Sequence, residues 1–140
     1  MTPRRQGRTA TCGRPEAVTR LEHAEKFLKV AALVADEGLT IPASASVSAS
    51  LAVLAGIAAG DAACCAAIGR RSRGQDHKQA VDLIAQVEPG GADAAKSLDR
   101  LLDLKDTAHY GVINLGSTDL RAALRHAGAL VAFARATVRR

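Results

Sequence analysis

Residues Ser46 to Gly69 read SVSASLAVLAGIAAGDAACCAAIG, with no Pro, Lys or Arg and with Asp61 as the single charge. Alanine is the strongest helix former, so a run of this length predicts a helix of about six turns. Ala52, Gly56, Gly60 and Cys64 recur every four residues and leave one side of that helix almost without bulk. Leu51, Leu54, Ile57 and Ile68 fall on its other flanks. A helix that is apolar nearly all round is a buried one. Each Gly in a helix interior costs roughly 1 kcal/mol relative to Ala, so two on one face predict a neighbouring backbone close by. The segment is expected to be the central helix of an all-α domain.

Its length approaches the ~18 apolar residues that raise the question of a membrane span. Alanine and glycine add little insertion energy, and Asp61 near the middle costs about 2.5–3.5 kcal/mol. The Gly56-x-x-x-Gly60 pair also occurs at membrane helix interfaces. In an Ala-rich bundle it means close packing, and no membrane contact is expected.

Outward from this helix, the 140 residues suit a single domain. Thirty alanines beside two Phe, one Tyr and no Trp make a core of small aliphatic side chains. The net charge of +5 is uneven. Four Arg and no acid lie within residues 1–15, and five Arg and no acid within residues 121–140. The body between is acidic, so the high pI belongs to the ends. This asymmetry suits a polyanionic partner or plain solubilising ends.

Cys12, Cys64 and Cys65 show no metal-ligand spacing, and no metal or cofactor is expected. Adjacent helical residues point about 100° apart, so Cys64 and Cys65 do not share a tetrahedral site. An odd count with two buried thiols points to a reducing compartment, and residues 1–14 lack the apolar stretch of a secretory signal. The expected location is cytoplasmic.

Residues 1–14 are expected to be a disordered basic arm, and residues 15–140 one helical domain. Pro15 suits the first position of a helix ending near Glu37, its stripe carried by Val18, Leu21, Ala24, Leu28, Ala31 and Ala35. Ser44 or Ser46 can cap the central helix, and Gly69 ends it. A basic loop, Arg70 to Gly74, precedes a capping-box pattern with Asp76 as N-cap and Gln79 at the third helical position. The third helix stops before Pro89-Gly90-Gly91. A fourth spans about Ala92 to Tyr110, with Gly111 as its stop, and a fifth is capped by Ser117. Arg121, Arg125, Arg135 and Arg139 are expected outside. No strand alternation appears, so the fold expected is a five-helix up-and-down bundle.

The chain has no P-loop, dinucleotide glycine pattern, G-x-S-x-G or H-E-x-x-H. Candidate chemistry falls on Arg73-Gly74-Gln75-Asp76-His77 and on Lys105-Asp106-Thr107-Ala108-His109-Tyr110. On a helix Lys105 and His109 share a face, as do Asp106 and Tyr110. A His beside a fixed cation can move protons while the cation steadies a phosphate. The plain alternative is that Lys105 and Asp106 are solvated, His109 takes a local hydrogen bond and Tyr110 packs at the helix end.

The order of LAVLAGIAAGDAACCAAIG, GQDHKQAVDLI and LLDLKDTAHYG resembles the HEPN superfamily over roughly residues 16–136. The resemblance implies a HEPN-like helical bundle acting as a homodimer, and many members are metal-independent ribonucleases, often toxins. It places Lys105 at the family's catalytic Arg, Asp106 at the following polar position and His109 at the catalytic His, with Tyr110 helping to orient the site. Arg73, His77 and Arg100 would contact RNA. Two departures stand out. Lysine lacks the bidentate guanidinium, and the three residues between Lys105 and His109 are one fewer than the motif requires. The expectation is therefore a non-catalytic or degenerate HEPN protein binding RNA, nucleotide or a protein partner. An antitoxin-like or nucleotidyltransferase-like partner, within a toxin–antitoxin or stress-response system, fits that expectation. The alternatives are an active ribonuclease using His109 and Lys105, and a helical scaffold without ligand.

Overall fold

Helix α2 (Pro42–Ile68) is the element on which the others pack. The computed structural model describes residues 8–38, 40–73 and 77–140. These form an all-α bundle in which α2 is surrounded by α1 (Arg14–Gly38), α3 (His77–Ala85), α4 (Gly91–Tyr110) and α5 (Ser117–Val138). Along α2, Ala45, Ala49, Ala52, Ala55, Ala59 and Ala63 are buried. Their methyl groups let α1, α5 and α4 approach from different sides. Among the described residues α2 alone is long and apolar enough to cross a membrane, and most of that stretch is buried by the other helices.

The small-residue ridge does bring a neighbour close, but the neighbour is side chain and not backbone. A methyl added at Gly56 would lie 2.5 Å from Leu101 Cδ1 and 3.2 Å from Leu130 Cδ1. Both leucines are fully buried, so α4 and α5 fill the room that Gly56 leaves. Ser48, also fully buried, donates its hydroxyl to the Ala31 carbonyl at 2.6 Å and fixes α1 against α2.

Several boundaries differ from the sequence expectation. Helix α2 starts at Pro42 after an extended Ile41, with no side-chain cap. Proline at the first helical position needs no N–H partner there. Ser44 instead bonds Glu37 at 3.1 Å, and Ser46 accepts the Leu115 N–H at 3.1 Å. Gly116, not Ser117, is the N-cap of α5. On α1 the buried stripe begins at Ala17, while Val18 is exposed. The register runs Ala17, Leu21, Ala24, Ala31, and in it the smaller residue takes the inward position. The expected N-cap Asp76 lies outside the described residues.

A two-stranded antiparallel ribbon is the feature the sequence reading missed. Strand β1 (Thr9–Thr11) pairs with β2 (Arg70–Ser72), with Ala10 opposite Arg71. Cys12 N donates to Gly69 O at 3.0 Å, and Arg73 N to Arg8 O at 2.7 Å. A disulfide joins Cys12 to Cys65 at the end of α2. Residues 9–14 of the expected disordered arm are thus a strand, a covalent anchor and the first residue of α1, and residues 1–7 lie outside the described part. The bond leaves Cys64 as the free thiol. Of the two α2 cysteines expected as buried free thiols, Cys65 is therefore bonded and Cys64 is not.

Candidate functional site

His77 and Lys105, one from each segment singled out in the sequence, meet where α3 begins and the C-terminal half of α4 passes it. Lys105 Nζ lies 2.6 Å from His77 Nε2, both side chains half-buried. A lysine ammonium has only donors, so the imidazole nitrogen accepts. One turn further along α4, His109 faces α2 instead. Its Nε2 donates to the Ser50 carbonyl at 3.4 Å, and the Ser50 hydroxyl donates to the Ala108 carbonyl at 2.8 Å. The ring of Tyr110 stands edge-on to that of His109, with centroids 5.7 Å apart. Tyr110 itself is 75% exposed.

The expected polar cluster is therefore split in two. Lys105 reaches α3 through His77, His109 reaches α2 through Ser50, and Asp106 is exposed. Arg73 is exposed just after β2. Arg100 stands apart from this group. With Arg125 it lies close enough to His126 for both charges, after burial, to hold that imidazole below its ordinary value of 6.5. Two of the basic groups near the chain ends are also engaged: Arg14 donates to the Val138 carbonyl at 2.7 Å, and Arg135 pairs with Glu25 at 2.8 Å. Arg135 was expected to point outward. Its side chain is 38% exposed, and its guanidinium also ties α5 to α1.

A second group surrounds Asp61 on α2. Arg20 of α1 pairs with Asp61 at 3.0 Å through Nε and a terminal nitrogen. Burial raises the Asp61 pKa, while the charges of Arg20 and Arg71 oppose the rise. One turn along α2, the Cys64 thiol is pushed up to about 12 by burial and by the Asp61 charge. It stays a thiol near neutral pH, which makes it a poor nucleophile. Asp61 and Cys64 border a cavity of about 210 Å³ roofed by β2 and α3. The sequence showed Asp61 only as an oddity in an apolar helix, and its partner lies 41 residues away.

Among the described residues no group of three or more His, Cys, Asp or Glu side chains is placed to hold a metal ion. Comparison of the chain with known protein families and with curated proteins finds no match, so the functional reading rests on sequence and geometry.

Proposed function

We propose that the chain is a non-catalytic, HEPN-like helical module that binds RNA through the end of α4 and the start of α3. The observation that carries the reading is the 2.6 Å contact of Lys105 with His77. It fixes a flexible ammonium at a defined place, with N–H groups left to meet a phosphate. Exposed Tyr110 offers a face on which one base can stack, and exposed Arg73 adds charge for the backbone. His109 is half-buried, with Nε2 directed at a main-chain carbonyl, a poor position for moving a proton on a ribose.

The working form is a homodimer. Tyr110, Val112 and Ile113 are all exposed, and the Leu115–Ser46 hydrogen bond ties the stretch after α4 to the first turns of α2, where Val47 is exposed. A second copy seated there would set two Lys105–Tyr110 segments together and extend the surface for RNA. A toxin–antitoxin or stress-response pairing, with an antitoxin-like or nucleotidyltransferase-like partner, is the wider setting of this reading.

The test is binding and cleavage of labelled single-stranded and structured RNA. Lys105→Ala and Tyr110→Ala are each expected to weaken binding about tenfold. RNA should remain equally intact with wild type and with His109→Ala. Binding unchanged in both substitutions would remove the RNA reading. Cleavage by wild type that disappears in His109→Ala would replace it with a ribonuclease using His109 and Lys105, and would require His109 to leave the Ser50 carbonyl.

A further inference from the structure

The cavity between α2, α3, α4 and β2 is lined by two chemically different surfaces. Its floor is aliphatic: Ile57, Leu83, Leu98 and Leu102. Its rim carries Arg71 and Arg73 from β2 and the residue after it. Asp61 is the acid among the lining residues, and Arg20 already holds it at 3.0 Å. Among the described residues the lining therefore keeps an excess of positive charge beside the aliphatic side of a cavity of about 210 Å³. Cavities of about 150 Å³ accept benzene, so this one suits a slightly larger body.

Gly60 supplies an independent observation. A methyl there would meet Ile84 and Leu98 at 3.7 Å, an ordinary contact. Packing forbids a side chain at Gly56 but permits one at Gly60. Glycine in mid-helix still weakens α2 by roughly 1 kcal/mol relative to alanine. What Gly60 does provide is space, because it lines the cavity.

We infer that this cavity binds a small organic monoanion, an aryl or alkyl carboxylate whose apolar body enters between α2 and α4 and whose carboxylate meets Arg71 and Arg73. Ligand sites combine an apolar lining with a few polar groups that set orientation, and guanidinium groups match a carboxylate in a bidentate manner. The disulfide fixes one end of the ribbon that carries Arg71, so the rim is held in place before a ligand arrives. The inference stands without the RNA reading: Arg73 and His77 belong to both, and naphthoate binding is measured with no RNA present.

Naphthoate is the probe, with uncharged naphthamide as its isostere, followed by calorimetry and by backbone NMR of the full chain. Naphthoate should shift the resonances of Gly60, Ala80 and Leu98 and should bind about tenfold more tightly than naphthamide. The double variant Arg71→Ala/Arg73→Ala should lower naphthoate affinity to the level of the amide. Gly60→Ala should weaken naphthoate binding while raising the melting temperature, a split that loss of folding cannot produce. Unmoved cavity resonances, equal binding of acid and amide, or unchanged affinity in either variant would overturn the proposal.

Discussion

At Gly56 and Gly60 the same residue type, four positions apart on one helix face, has opposite consequences. A leucine at Gly56 would collide with Leu101 and Leu130, both fully buried and unable to retreat without displacing α4 and α5. Gly56→Leu is expected to cost about 1–3 kcal/mol, whereas Gly60→Ala should stabilise by up to about 1 kcal/mol. Urea denaturation of the two variants beside wild type checks both signs. The sequence spacing identified the ridge, but periodicity treats the two glycines alike, and only the facing side chains separate them. Cys64 makes a second point at this scale. Burial and the neighbouring Asp61 charge hold its thiol protonated, and Cys12 and Cys65 are already joined. A thiol-specific reagent should find no reactive group in the native protein and one per chain in denaturant. Two or three reactive thiols after unfolding would mean that the disulfide is absent.

The helices were legible as elements because each carries its own signal: Pro15 and Gly69 at ends, alanine runs within, and the Pro89-Gly90-Gly91 break before α4. Gly69 ends α2 in the left-handed region at φ 72°, where its N–H bonds Cys64 O. The ribbon was not legible. Strands of three residues show too little alternation to detect, and their pairing partners lie some sixty positions apart in the chain. Nor can spacing reveal that Cys65 faces Cys12 while Cys64 faces the cavity. The bond closes a loop with a sequence separation of 53, which in the chain-entropy account corresponds to about 4 kcal/mol. Replacing both partners, Cys12→Ser/Cys65→Ser, should lower stability by an amount of that order, measured by urea denaturation. Hydrogen exchange should show Cys12 and Arg73 N–H groups losing protection before those of α2 and α5. Uniform loss of protection throughout the chain would mean that the ribbon is not a separately held element.

Over the whole molecule, charge is arranged differently from its order along the chain. Arg14 and Arg135 are spent on internal carbonyl or carboxylate partners, so the basic ends contribute less free charge than their sequence suggests. What remains includes Arg71 and Arg73 at the cavity and the group of Arg100, Arg125 and His126 on α4 and α5. The candidate site was half legible: His77 and Lys105 were named from separate segments, but their contact depends on how α3 crosses α4. The last group gives stability a dependence on pH whose sign can be worked out. Burial and the Arg125 and Arg100 charges lower the His126 pKa from 6.5 in the folded state. As pH falls through 6.5, the unfolded chain takes up this proton before the folded one does, so folding stability decreases. Asp61 works in the other direction. Its folded pKa is raised from 3.8, so stability is lost as pH rises from 3.8 through the raised value. His126 therefore acts from 6.5 downward and Asp61 from 3.8 upward. Urea midpoints measured at intervals between these limits should therefore show a fall below pH 6.5 in wild type. His126→Gln should flatten that fall. Parallel curves for the two proteins would show that Arg100 and Arg125 do not converge on His126.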